Sequence, residues 1–180
     1  MDGKLLQKID SFGDNITRII RFRIGEILFS SFGKGNFVMN INTLAVSKLE
    51  GTHEQAPTGI DNSITLHCQD GQHLWLGTYN YGLFSYNLTT KKFRNFSVSE
   101  GLPSSDIVGI EEDDNGNLWL STSYGLARFN TSENSVQTFF INEGITNYQF
   151  HEKSSFKGKD GVIYLDYNFE FEKQILSRFY

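Results

Sequence analysis

Short runs in which apolar and polar residues alternate, each ended by glycine, asparagine or aspartate, fill most of this 180-residue chain. Alternation of period two marks a half-buried strand, and Asn-Gly or Asp-Gly pairs mark tight hairpins because these residues tolerate positive φ. The runs recur in a fixed order. His73-Leu74-Trp75-Leu76-Gly77-Thr78, Gly82-Leu83-Phe84-Ser85-Tyr86-Asn87, Phe93 to Phe96 and Glu100-Gly101-Leu102 form one copy. About 43 to 45 residues on come Asn117-Leu118-Trp119-Leu120-Ser121-Thr122, Gly125-Leu126-Ala127-Arg128-Phe129-Asn130, Val136 to Phe139 and Glu143-Gly144-Ile145. A repeat of this length, made only of short strands and turns, predicts a β-propeller blade.

Two weaker copies flank these. Upstream, Asn15 to Phe22, Glu26 to Ser31, Phe37 to Ile41 and Val46 to Leu49 keep the strand order but lose the tryptophan, with Leu28 and Phe29 in the places of Trp75 and Leu76. Downstream, Tyr148-Gln149-Phe150 opens a copy, Lys159-Asp160-Gly161 turns it, and Val162 to Leu165 continues it with Tyr164 in the place of Trp119. The pattern then fails at Asp166, and 168–180 shows no third strand of the Gly-Leu type. The predicted fold is therefore all-β: a partial propeller of about four four-stranded antiparallel blades, of the incomplete seven-bladed type. The propeller spans 1–166, with blades near 14–50, 62–97 and 105–140, an incomplete one at 147–166, and a divergent tail at 167–180. Gly51, Pro57 and Gly59 mark 51–61 as the long loop. Propellers close with roughly four to eight blades, so the missing neighbours are expected first from the rest of a larger propeller, with a second copy in a homodimer or strands from the tail as the alternatives.

Composition removes several functions. The formal net charge of −5, with no Lys/Arg run longer than the pair Lys91-Lys92, excludes a nucleic-acid surface. No run approaches the roughly 20 apolar residues of a membrane helix, and the N-terminus lacks the apolar run of a signal peptide. One cysteine, Cys68, permits neither an internal disulfide nor a thiolate metal site. His53, His67, His73 and His151 have no ligand spacing, and no cofactor or metal is expected. Asp113 to Asn117 has the flavour of a calcium loop, but Tyr124 stands where an EF-hand needs its distal glutamate, so a hairpin turn is preferred. No nucleophile elbow, phosphate loop or paired-carboxylate motif occurs. Asp106 and Glu152 are the only carboxylates that could converge on an axis, and they belong to different blades.

Trp75 and Trp119 are tempting platforms for a sugar ring, yet they fall at one place in successive repeats. A residue demanded by every blade is better read as packing between blades. Trp75, Trp119, Tyr164, Gly82 and Gly125 are accordingly read as structural repeat positions. Recognition belongs where the copies differ. Tyr79-Asn80-Tyr81 is one residue longer than Ser123-Tyr124 in the same turn, which makes Tyr79, Asn80, Tyr81 and Tyr124 candidate ligand contacts. His151 and Glu152, following Phe150 on what is read as the innermost strand of the last blade, are candidates for the channel wall. Whether these turns share a face with the Glu-Gly-Leu loops is open in the sequence, and the opposite face is one expectation.

The segment Asp-Asp-Asn-Gly-Asn-Leu-Trp-Leu-Ser-Thr-Ser-Tyr-Gly-Leu-Ala-Arg-Phe-Asn (113–130), preceded by Glu100-Gly101-Leu102-Pro103-Ser104, resembles the two-component regulator propeller repeat. Such repeats build the periplasmic sensor region of hybrid histidine kinases of Bacteroides-type bacteria. Residues 142–150 with Asp160 to Tyr164 resemble the closing blade of the second propeller of those sensors, although Asp166-Tyr167-Asn168 replaces the usual aromatic-Gly-Gly. The resemblance implies a non-catalytic sensor of glycan-derived oligosaccharide, periplasmic, signalling to a kinase absent from these residues. It also implies a fragment, truncated or frameshifted, which would be cytoplasmic if free-standing. A protein–protein assembly scaffold is the alternative function. A propeller glycosidase or lyase is the weakest, since it needs converging carboxylates.

Overall fold

The computed structural model describes residues 15–50, 56–140, 149–152, 155–165 and 174–176. Within them the regular structure is strands and two short 3-10 turns, at Ile60–Asn62 and Val98–Glu100. Blade 1 is β1 (Ile16–Arg23), β2 (Glu26–Ser31), β3 (Gly35–Asn40) and β4 (Val46–Lys48). Blade 2 is β5 (Ser63–Gln69), β6 (His73–Thr78), β7 (Leu83–Asn87) and β8 (Phe93–Phe96). Blade 3 is β9 (Ile107–Glu112), β10 (Leu118–Thr122), β11 (Gly125–Asn130) and β12 (Ser135–Phe139). Blade 4 holds β13 (Ser155–Lys157), β14 (Ile163–Leu165) and β15 (Gln174–Leu176).

Each sheet is an antiparallel meander in chain order, and the first strands of successive blades lie against one another. That arrangement makes β1, β5, β9 and β13 the hub and sends the later strands outward. These are the blades of a partial β-propeller. Two readings of the sequence change. The opening strand of blade 4 is Ser155–Lys157 rather than 148–150. Lys157 pairs with Ile163 and Ser155 with Leu165, so the hairpin through Gly158 to Val162 leaves Phe150, His151 and Glu152 before the strand. The stretch read as a tail also contributes a strand: Gln174–Leu176 pairs with β14, Tyr164 opposite Ile175. Its backbone can extend the sheet without the glycine that marks this strand in the other blades.

The second strand of each blade explains the Leu-Trp-Leu pattern. Because side chains alternate between the faces of a strand, the central residue points to the following blade and its neighbours to the preceding one. Leu28 packs with Leu74 and Leu76 of blade 2, Trp75 with Leu118 and Leu120 of blade 3, and Trp119 with Ile163 and Leu165 of blade 4. Trp75 meets Phe96 and Phe129 with ring centroids 6.1 and 5.3 Å apart; Trp119 stacks on Phe139 at 5.4 Å. Each indole N–H finds an acceptor near the end of the preceding strand, Gln69 Oε1 at 3.1 Å for Trp75 and Asp113 Oδ2, just past β9, at 3.2 Å for Trp119. Strands buried on both faces thus form the spine of the fold.

The turn between second and third strands needs its glycine. Gly82 has φ +77°, and a Cβ there would collide with the carbonyl oxygen of Phe96. Thr78 and Thr122, both buried, close this turn alike, each donating its hydroxyl to the carbonyl of Gly82 or Gly125 at 2.7 Å.

Replacing Trp75 by alanine is expected to cost about 3–5 kcal/mol in urea unfolding, the range for a buried large aromatic. Gly82→Ala is expected to cost more than Gly71→Ala, because Gly71 shares a positive φ but has open space around its Cβ site. Equal losses at the two glycines would contradict the steric account.

Candidate functional site

Residues 15, 62 and 106 each stand immediately before the first strand of a blade. The carbonyl of each accepts from the first residue of its own blade's second turn: Phe32 N–H to Asn15 at 3.0 Å, Tyr79 N–H to Asn62 at 3.0 Å and Ser123 N–H to Asp106 at 3.2 Å. Phe32, Tyr79 and Ser123 are therefore equivalent positions, clustered around the hub mouth. Gly82 N–H also donates to Ser105 O at 2.8 Å, inside the loop that follows Glu100-Gly101-Leu102. The variable turns and the Glu-Gly-Leu loop of blade 2 thus share one face, which corrects the expectation of opposite faces. The second such loop, 143–145, lies outside the described residues.

At this mouth is a cleft of about 420 Å³, with Asn15, Ile16 and Thr17 of blade 1 on one side. Phe32, Tyr79 and Glu152 complete its wall above Ile64, which is buried in the hub. The rings of Phe32 and Tyr79 meet edge to face, centroids 6.4 Å apart, and remain 38% and 45% exposed. An exposed aromatic pair held on a rigid hub beside hydroxyl, amide and carboxylate groups can offer a ligand both a stacking face and hydrogen bonds. Thr17 Oγ1 is anchored by Ser30 Oγ at 2.7 Å and Ser63 O at 3.0 Å.

The structure brings together only some of the sequence candidates. Tyr79 and Glu152 line the same cleft. The Tyr81 ring lies on Gly59, whose Cβ would overlap it, so it serves to dock the incoming loop. Asn80 has φ +70° and donates its N–H to Asp106 Oδ1 at 2.7 Å. Tyr124 is 53% exposed beside Phe140 rather than in the cleft. His151 and Glu152 are exposed and precede β13 instead of lying on it, because the hairpin register starts that strand at Ser155. Phe32 was missed. Its alignment with Tyr79 in the second turn of blade 1 was a usable signal, weakened by the absence of a tryptophan in that copy.

Below the mouth, polar side chains stitch the first strands together. Glu111 Oε1 accepts from Ser155 Oγ at 2.9 Å and lies 3.5 Å from Arg18 Nη2. Glu112 holds His67 at 2.7 Å and Gln69 at 2.8 Å across the seam between blades 2 and 3. The aspartate turns are likewise structural. Asp113 accepts from Asn115 N–H and Asn117 N–H, each at 2.9 Å, and from the Asn117 and Trp119 side chains. Burial alone would raise its carboxyl, but these donors outweigh it and hold the group below its ordinary 3.8. Burial pushes the half-buried Cys68 thiol up, which leaves it protonated and unreactive at neutral pH. No group of three or more His, Cys, Asp or Glu among the described residues is arranged to hold a metal.

Comparison with known proteins fits this architecture. Residues 101–124, which run from the loop before blade 3 through β9 and β10, match the two component regulator propeller family. The extracellular domain of one hybrid two component system of B. thetaiotaomicron superposes with a TM-score of 0.71 at 23% identity, over 87% of this chain and 21% of that one. The extracellular domain of a second such system from the same organism gives 0.70 at 20%, over 94% and 23%. Virginiamycin B lyase of Staphylococcus aureus, in a catalytically inactive form with quinupristin, gives 0.65 at 13%, over 90% and 52%. At these identities the likeness is one of fold. The chain spans about a fifth of the length of the two B. thetaiotaomicron domains. Among curated protein sequences, none matches the chain. No helix among the described residues is long and apolar enough to cross a membrane.

The depressed Asp113 carboxyl contributes stability that is full above its unfolded value and is lost as pH falls through the lower folded value. Asp113→Asn is therefore expected to be less stable than wild type at neutral pH and to converge with it in acid. Urea titrations at a series of pH values read the difference, and a gap that persists unchanged into acid would refute the assignment.

Proposed function

We propose that this chain is a stretch of a sensory propeller that binds glycan-derived oligosaccharide at the hub mouth. The observation that carries the reading is the cleft formed by Phe32, Tyr79, Thr17, Asn15 and Glu152 on the face shared by the variable turns. Aromatic faces stack on the apolar face of a pyranose ring while flanking oxygens and amides pair with its hydroxyls. The two component regulator propeller repeat and the fold shared with B. thetaiotaomicron extracellular domains support a receptor placed in the periplasm. Binding is non-catalytic in this reading. Asp106 has each carboxylate oxygen bonded to a donor of this chain, and among the described residues that line the cleft Glu152 is the only carboxylate. Signalling then requires the oligosaccharide to favour one of two arrangements of the sensor, biasing a kinase outside these residues.

A second reading, an assembly module, draws on the end blades. Ile19, on the outward face of blade 1, is 56% exposed and Phe156, on the outward face of blade 4, is 64% exposed. In that reading a second copy covers them, and sedimentation would show a dimer that Phe156→Asp dissociates.

Calorimetric titration with hexasaccharides of cellulose, xylan, mannan, arabinan and chondroitin tests the receptor reading, with chromatography of the mixture for cleavage products. One of these glycans is expected to bind intact, and Tyr79→Ala to weaken it about ten-fold, the value of one aromatic contact. Binding that is indifferent to both Tyr79→Ala and Phe32→Ala would place recognition elsewhere, and cleavage products would replace the receptor with an enzyme.

A further inference from the structure

Asp106 stands at the junction of two blades, with both carboxylate oxygens and its backbone N–H bonded to loops. Its Oδ1 accepts the Asn80 N–H of blade 2 at 2.7 Å, and its Oδ2 accepts the Ser123 hydroxyl of blade 3 at 3.1 Å. Its backbone N–H donates to Ser104 Oγ at 3.1 Å, and Ser104 Oγ lies 2.8 Å from Ser123 Oγ. The residues so held are the centre of the turn that carries Tyr79 and Tyr81 and the neighbour of Tyr124. Asn80 sits in the left-handed region at φ +70°, which asparagine adopts more readily than most residues with a side chain. Its exposed amide would otherwise pair only with water. A charged acceptor at 2.7 Å is among the stronger supports a short turn can have.

From this geometry we infer that Asp106 is a positioning residue for the hub-mouth site: one carboxylate fixes the Tyr79–Tyr81 turn and ties it to the Ser123–Tyr124 turn, without touching ligand. Blades 1 and 2 carry asparagine, Asn15 and Asn62, at the corresponding place. Asparagine at 106 can reproduce both contacts, its carbonyl accepting from Asn80 and its amide donating to Ser123 Oγ. Alanine can reproduce neither. The role as stated rests on the oligosaccharide-binding reading, but the holding of the turn can be measured without ligand.

The test compares Asp106→Ala, Asp106→Asn and Ser123→Ala by amide hydrogen exchange at Asn80 and by calorimetry with the same hexasaccharide panel. In Asp106→Ala, Asn80 is expected to exchange about ten-fold faster, as for loss of one charge-assisted hydrogen bond. Affinity for the panel glycan that binds wild type is expected to fall in parallel, and Asp106→Asn to restore both. Ser123→Ala is expected to leave Asn80 protected, since only Oδ2 loses its donor. Unchanged Asn80 exchange in Asp106→Ala, or equal damage from Asp106→Asn, would overturn the inference. Should Asp106→Ala fail to fold, Asp106→Ser, whose hydroxyl is too short to reach Asn80, takes its place: faster Asn80 exchange supports the inference, and exchange unchanged from wild type refutes it. If no panel glycan binds, the receptor reading falls while the exchange measurements still judge the positioning role.

Discussion

Everything in this molecule depends on a strand that is buried from both sides. Sheets in most small proteins bury one face, so a period-two pattern suffices to place them. Here the second strands of blades 2 and 3 have a blade on either side, and their two faces must fit different partners. The large central residue goes forward and the pair of leucines goes back. Repeating that asymmetric contact fixes the order and spacing of the blades. It also leaves the blade-to-blade contact to the strands, so residues of the turns at the hub mouth can differ between blades.

That division of labour is visible where the blades differ. Thr78 and Thr122 close their turns with the same bond, yet the residues between threonine and glycine change in number and kind. Phe32, Tyr79 and Ser123 occupy one position in three blades, and two of the three are aromatic and face the cleft. A scaffold that repeats and a mouth that varies is the pattern of a binding surface built on a rigid frame. The carboxylates follow the same logic: Asp113, Glu111 and Glu112 are engaged in holding the frame, while Glu152 faces the cleft.

Much of this was legible in the chain itself, because local pattern and global fold agree. The strand order of the first three blades follows from alternation and glycine placement, and the packing of the tryptophans between blades follows from their recurrence, whereas their direction toward the following blade does not. Blade 4 was harder. Three residues of β13 carry too little alternation to reveal a strand, whereas Phe150 looks like one but is buried as the plug before it. The third strand at Gln174–Leu176 gave no signal because it pairs through backbone and lacks the preceding glycine. The cleft was half legible. Tyr79 and Glu152 belong to distant parts of the sequence, and only the ring of first strands brings them together. Phe32 was hidden by its blade's weak repeat, and Asp106 resembled a chemical group until its partners showed it to be a strut.

The Glu111 side chain has a reach that the seams do not. Sitting on blade 3, it contacts Arg18 at one end of the array and Ser155 at the other. Seams link only adjacent blades, so without it a tilt in blade 1 would dissipate step by step along the row. With it, blades 1, 3 and 4 meet at one carboxylate oxygen, which Arg18, next to Thr17, and Ser155 of β13 both approach.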